Sequence, residues 1–552
     1  MPTTAHQSPR KDTGAAVSLI DQASFERAVT NVAKWGDTDV FPFPFENHVL
    51  HDQPGPVVAL LSSMSRNFDE RINSEPIHNV SLLAPVGYGG FRWATQIDSL
   101  WNAYLLALVI ELAPKIEQLR VPVADEVVHS YRYQDDKDSS LFRLDSWAAF
   151  QAHTRQLAQS HSYVVTADIS DFYSRLYHHR LENALRQADP GCNIANQIME
   201  ILKRLSNNTS YGLPVGGPAA RILAELALNR VDRLLLAERT TSSYCRYADD
   251  YRFFVNDLPS AYRAIGILSE RLFRNEGMSL QKSKTRIMTS EEYVSMLDPI
   301  EPRPGSASDF LGLHIYYDPY SATADDDYEN LKERLREFDI AGLIQAELKK
   351  GRVHTGLTKR LIQALRYMDA TTRLEVVTSL LDSIETLVPV VPQVMLAARA
   401  AVDDAVTQDE REQVQGKVRN LIRESHYLAQ IDLNMTYMIR VLAGSHSVEN
   451  EHVLIQLFES PPGFGGHAAI IRRDVLLAMA RWKAAYWLSD RKNYFNSMEA
   501  WVRRAFIVAS YALGDEGKHW RRSTNDSLTD FERIIRDWAA GRTSNGSWQV
   551  PI

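Results

Sequence analysis

Two adjacent acids, Asp249 and Asp250, stand between two runs of strand-forming residues in SSYCRYADDYRFFV (242–255). Aromatic and β-branched residues at 244–247 and 251–255 suit pleated strands. The short break Ala248–Asp250 between them reads as a tight hairpin. A hairpin tip with two carboxylates can hold a divalent metal, which takes oxygen ligands. The plain alternative is turn chemistry, because Asp is common in turns. A third acid, Asp168, interrupts the apolar run Val164, Val165, Ala167 and Ile169, and Asp171 follows three residues later. A carboxylate inside a buried strand costs free energy unless it is paired, hydrogen-bonded or bound to a metal. A salt bridge and a metal site are both open at this point. His178 and His179 lie beyond the strand and read as helix or packing residues.

These acids need elements to position them. TSYGLPVGGPAARILAELALNRVDRLL (209–235) opens as a Gly/Pro loop and continues as a helix, with Pro218 suited to its first turn. Ile222, Leu223, Leu226, Ala227, Val231, Leu234 and Leu235 mark one apolar face of that helix. A glycine-rich loop feeding a helix lets backbone approach a nucleotide or strand closely.

The ordered series resembles the palm of reverse transcriptases. DISDFY (168–173) is similar to motif A, GLPVGGP (212–218) to motif B and YADD (247–250) to motif C. Lys284-Thr285 resembles motif D and Phe310-Leu311-Gly312 the primer-grip motif E. The resemblance implies nucleotidyl transfer with two Mg2+ ions, Mn2+ being the alternative ion. It implies that Asp168, Asp249 and Asp250 are catalytic and hold the metals together with the backbone carbonyl of Ile169. Asp171, Tyr173, Gly216 and Lys284 fall at the nucleotide, and the Tyr173 ring at a position that favours deoxynucleotides. FRWATQIDSLWNAYLLALVIE (91–111) and VVHSYRY (127–133) resemble the fingers of a divergent subgroup, which would bring Arg132 to the triphosphate, with Arg92 a weaker candidate. Val215 departs from the Gln that most reverse transcriptases carry in this loop.

The chain has 552 residues, enough for two or more domains. Its composition is that of a soluble globular protein: 45% hydrophobic, 24% charged and a formal net charge of −8. Two distant cysteines argue against a disulfide framework and fit a reducing cytoplasm. No signal peptide or membrane span is expected: the start is polar, and the run AYLLALVIELAP is short and contains Glu111. Residues 1–18 read as disordered, 19–320 as fingers and palm, and 325–545 as helices, with polar breaks at 301–309 and 321–327. The expected fold is thus an α+β right-hand polymerase palm and fingers followed by an all-α, HEAT-like helical-repeat domain. Interleaved Trp and Arg residues at 472–522 read either as helix core with snorkelling rims or as a groove for a single strand.

Taken whole, the architecture resembles the bacterial defence-associated, abortive-infection (AbiK-like) reverse transcriptases. That implies DNA synthesis in antiphage defence, RNA-directed or template-independent, with protein priming and homo-oligomers in some members. The partners implied are deoxynucleoside triphosphates and nucleic acid, a DNA product and an RNA template, with no membrane. Two alternatives stand beside it: a retron or mobile-element enzyme copying a dedicated RNA, and a helical scaffold whose polymerase-like part only binds nucleic acid.

Overall fold

The computed structural model describes residues 20–36, 40–134, 140–143, 145–238, 243–297, 305–312, 331–463, 468–544, 546 and 548–552. The expected disordered start (1–18) and the break at 321–327 lie outside the described residues, as does the first part (301–304) of the break at 301–309.

Four helices come first: α1 (Gln22–Trp35), α2 (Glu46–Asp52), α3 (Pro54–Arg66) and α4 (Phe68–Ser74). A hairpin of β1 (Asn79–Val86) and β2 (Gly90–Ile97) follows, turning where Gly87 takes a positive φ of 63°. The chain then enters α5 (Ser99–Leu119). Asp98 caps that helix by accepting from the amides of Leu100 and Trp101 at 3.0 and 3.4 Å. The run read as too short for a membrane lies in this 21-residue helix, which is long and apolar enough to cross one, as is the stretch Ile384–Asp404. In α5 that apolar character serves a central core helix: Trp101, Ala103, Tyr104, Ala107, Leu108 and Val109 are all fully buried.

The second region is built on one antiparallel sheet. Its elements are α6 (Ser146–Gln159), β3 (Tyr163–Asp168), α7 (Phe172–Arg175), α8 (His178–Ala188), α9 (Asn193–Leu205), α10 (Pro218–Ala237), β4 (Ser243–Tyr247), β5 (Asp250–Val255), α11 (Leu258–Glu276), β6 (Arg286–Thr289), α12 (Ser290–Leu297) and α13 (Ala307–Gly312). The strand order is β4-β5-β3-β6. Alternation along the strands gives the sheet two different faces. Val165, Ala167, Tyr251 and Phe253 face the main core, whereas Val164, Cys245 and Phe254 face a smaller cluster with Phe150 and Tyr293. Asp168 therefore ends β3 rather than interrupting it, and Asp250 opens β5 rather than sitting in the turn.

From residue 331 onward the described residues are helical, and most helices pack on the next one and the next but one. They are joined to the N-terminal region by polar contacts. Tyr437 Oη donates to the Val40 carbonyl at 2.9 Å, and Trp538 Nε1 to Asp52 Oδ2 at 2.7 Å. The buried Arg504 guanidinium pairs with Asp98, the cap of α5. Trp487 and Trp501 are core residues, Arg473 is buried against Asp474, and Arg503 pairs with Glu532, so these side chains are taken up inside the fold.

Glu276, the last residue of α11, is buried, and its Oε2 has no hydrogen-bond partner. Burial pushes its carboxyl up to about 7, against the opposing charges of Arg180 and Arg230. The folded protein therefore keeps a proton that the unfolded chain releases at its ordinary value of 4.5, and stability falls as pH rises between those values. Glu276→Gln removes the charge and keeps the shape. Urea denaturation near pH 8 should show the variant more stable by up to roughly 3 kcal/mol, a gap that closes below about pH 4.5.

Candidate active site

Antiparallel pairing of β3 with β5 sets Asp168 directly opposite Asp250. The two-residue turn between β4 and β5 holds Asp249, and Ala248 adopts φ 52° to close it. The Ile169 amide donates to the Asp249 carbonyl at 3.2 Å, which ties the end of β3 to the turn. From the segment before β6, the Gln281 amide donates to the Asp168 carbonyl at 2.7 Å. Lys284 Nζ then reaches Asp168 Oδ2 at 2.9 Å. Three carboxylates from two strands and a turn thus converge beside one ammonium group.

The acids repel each other. Burial, followed by the charge of Asp168, pushes the Asp249 carboxyl up to about 6. Asp250 is partly exposed and lies 3.3 Å from Arg252. Lys284 supplies one positive charge where the acid set calls for more, and its own pKa is raised, chiefly by its hydrogen bond to Asp168. An oxygen-only, under-neutralised set of this kind fits a hard divalent cation. Asp168, Asp249 and Asp250 are the side chains that would hold it.

The turn is fixed from behind. Arg246, on β4, is fully buried and donates through Nη1 to the Ala248 carbonyl at 2.8 Å. Its guanidinium pairs with Asp232 at 2.6 Å and with Glu225 at 2.9 Å, both on α10. Glu225 also pairs with Arg120 at 2.7 Å. Arg120 meets Glu117 at 3.0 Å, and Glu117 meets Arg132 at 2.7 Å. Burial opposes every charge here, but Arg246 and Arg120 hold the Glu225 carboxyl below its usual range, and Asp232 and Glu225 keep Arg246 charged.

This network corrects the expectation for Arg132. Its guanidinium is buried and donates to Glu117 Oε1 and to the carbonyls of Val121 and Val128, so it is not turned toward a nucleotide. Its neighbour Tyr131, at φ 46°, is the residue that joins the site. The Tyr131 ring lies 5.8 Å from the Tyr247 ring, and burial raises its hydroxyl above the ordinary range. The Arg221 guanidinium sits 5.2 Å over the Tyr131 ring and makes no ion pair among the described residues. Tyr131 and Arg221 both escape the sequence reading. The signal for Arg221 was its place one turn into the helix after GGP (216–218), where a side chain borders the loop.

Tyr173 packs at 5.1 Å on Phe172, and burial raises its hydroxyl well above the ordinary range, so it stays a neutral donor. Gly216 takes φ 117° in the loop before α10, a conformation that favours glycine. Asp171 points to solvent at the start of α7, 4.0 Å from Arg175. His178 Nε2 is bonded to the Gly212 carbonyl at 2.7 Å, a packing role. Phe310 is buried in α13 and packs edge-on against Phe338. The side chain of Leu311 lies outside the described residues.

Removing Arg246 strands the buried Asp232 carboxylate and leaves Glu225 with Arg120 as its one ion-pair partner among the described residues. Arg246→Leu is expected to cost about 3–5 kcal/mol in urea denaturation. Arg274→Leu, at the exposed Glu270 pair, should cost less than about 1 kcal/mol. Equal losses would show that the buried network does not hold the turn.

Residues 116–315 match the family described as "Reverse transcriptase (RNA-dependent DNA polymerase)". No curated protein matches the chain. Among solved structures, the apo telomerase of Candida tropicalis superposes with a TM-score of 0.29 at 10% identity, over 64% of this chain and 74% of that chain. The telomerase of Candida albicans in complex with a TWJ fragment of telomeric RNA gives 0.30 at 11% identity, over 75% of this chain and 70% of that chain. Both scores are too low to establish a shared overall fold. Residues 116–315 are a reverse transcriptase domain, and the chain is an enzyme of the RNA-directed DNA polymerase type, a nucleotidyltransferase.

Proposed function

We propose that the chain adds deoxynucleotides to a DNA 3′ end with two Mg2+ ions, Mn2+ substituting, held by Asp168, Asp249, Asp250 and the Ile169 carbonyl. The observation that carries this is the register of β3 and β5, which sets Asp168 opposite Asp250 with Asp249 on the adjoining turn. When bound, the cations supply activation of the attacking oxygen and neutralisation of the leaving pyrophosphate.

The other roles belong to the chain's own groups. Lys284, held charged by Asp168, balances negative charge beside the acids. Arg221 takes the triphosphate role first expected of Arg132, because among the described residues its guanidinium has no carboxylate partner. The Tyr131–Tyr173 pair walls the sugar side and favours deoxynucleotides. Gly216 lets the loop backbone come close to the nucleotide. Nucleic acid approaches along two surfaces. A cavity of about 290 Å3 beside Asp250 is lined by Trp147, Arg252, Lys284 and Arg286, and the β1–β2 hairpin presents Phe91, Arg92 and Trp93 to solvent. Cations interleaved with aromatic rings suit a strand end and its bases.

The biology we propose is antiphage defence of the abortive-infection kind, on an RNA template or without one, in the cytoplasm and as a homo-oligomer. The resemblance of motifs A to E, the Val215 departure and the helices after residue 331 support it. Two free cysteines suit a reducing compartment. The proposed organisation is a fingers and palm unit at 19–320 and a HEAT-like unit at 325–545, supported by helices that pack on near neighbours in sequence.

Asp249→Asn keeps the shape and removes a charge that burial and Asp168 disfavour. Deoxynucleotide incorporation with Mg2+ should fall at least about 100-fold, while the melting temperature stays level or rises. Undiminished incorporation by a folded variant would refute the assignment, and loss of phage protection in parallel would tie the chemistry to defence.

A further inference from the structure

On the face of the sheet opposite Arg246, three side chains from three segments converge behind the catalytic turn. Cys245 lies on β4, two residues before Tyr247, and is fully buried. His153 comes from α6 and His129 from the segment after α5. His129 Nε2 is 3.2 Å from His153 Nδ1, and Cys245 Sγ is 3.5 Å from the same nitrogen. All three donor atoms lie within 4.8 Å of one another.

We propose that Cys245, His129 and His153 form a binding site for a zinc-class divalent ion, distinct from the site of the three aspartates.

The donor set is the first support. One thiolate and two imidazoles are the ligands that Zn2+ selects, whereas Mg2+ takes oxygen. The spacing is the second. Tetrahedral zinc with bonds of about 2.05 Å to nitrogen and 2.3 Å to sulfur has N–N edges of about 3.3 Å and N–S edges of about 3.6 Å. The His129–His153 and Cys245–His153 separations, 3.2 and 3.5 Å, match those edges. The outer shell is the third. The far nitrogen of His153, Nε2, lies 3.7 Å from Glu126 Oε2, placing a carboxylate behind an imidazole ligand. Glu126 and His153 also border a cavity of about 320 Å3.

Binding is proton-coupled. The sulfur–metal bond forms as the Cys245 S–H bond breaks, and that proton passes to solvent. The His129 Nε2 contact with the Glu126 carbonyl, 2.9 Å, gives way to the metal. The backbone aligns the same segments, since the Arg246 amide donates to the Val127 carbonyl at 2.7 Å and the His129 amide to the Arg246 carbonyl at 3.1 Å. A bound ion would cross-link β4 to α6 and to the 127–129 segment, stiffening the strand that carries the catalytic turn.

The test uses the full chain without an affinity tag, purified in chelator and titrated with Co2+, a spectroscopic substitute for Zn2+. The expected result is a thiolate-to-cobalt charge-transfer band with tetrahedral ligand-field bands, saturating at one ion per chain and erased by Zn2+. Cys192→Ser and Asp249→Asn should keep the spectrum. Cys245→Ser should lose the charge-transfer band, and His153→Gln should lose the tetrahedral bands, each with an unchanged circular dichroism spectrum. Absence of the band in the folded native chain would overturn the proposal without recourse to any variant. A band that survives Cys245→Ser, or that disappears in Cys192→Ser, would overturn it equally.

Discussion

Six charged side chains behind the catalytic turn set the terms for the rest of the domain. Arg246, Arg120 and Arg132 face Glu225, Asp232 and Glu117, so that three positive charges balance three negative ones, all buried but the half-buried Glu117. Each ion costs several kcal/mol to desolvate, and close pairing with satisfied donors offsets that cost. What the arrangement provides is registry. Glu225 and Asp232 belong to α10, the helix launched by the glycine loop, while Arg246 belongs to β4 and grips the Ala248 carbonyl. The loop and the aspartate turn are therefore held to each other through one guanidinium.

Strand alternation then divides the work on β4. Arg246 faces α10 on one side of the sheet, while Cys245 and Tyr247 face α6 on the other. The acids gather where β3 ends and β5 begins, with Asp168 buried and Asp249 and Asp250 half-buried. Their environment stabilises the charged forms poorly: Asp249 is disfavoured by burial and by Asp168, with Lys284 as partial relief. Groups with shifted pKa values mark sites where stability is given up for chemistry. The contrast between the balanced charges behind the turn and the unbalanced ones on it separates scaffold from site.

Much of this geometry is legible in the sequence because it follows from local rules. Alternating aromatic and β-branched residues announce β4 and β5, and the short break between them leaves little choice of turn. Pro218 and the glycines before it mark the start of α10, and its apolar face reads correctly except that Leu234 is only half-buried. Long-range pairing is what the sequence hides. Arg132 and Tyr131 are adjacent, and only the network of Glu117 and Glu225 decides which one turns inward. Glu225 and Asp232 look like the solvated side of a helix until Arg246 is placed against them. Arg221 looks like one more surface cation until Tyr131 appears beneath it. The helices after residue 331 read as a separate unit, yet Arg504 reaches Asp98 and Trp538 reaches Asp52 in the N-terminal region.

The most direct measurement is a crystal structure of the protein with Mn2+ and a hydrolysis-resistant deoxynucleoside triphosphate, the metals located by anomalous scattering. The result expected is manganese bound by Asp168 and Asp249, the triphosphate toward Arg221 and Lys284, and the sugar against Tyr173. Manganese away from those acids, or a triphosphate bound where Arg132 lies, would contradict it.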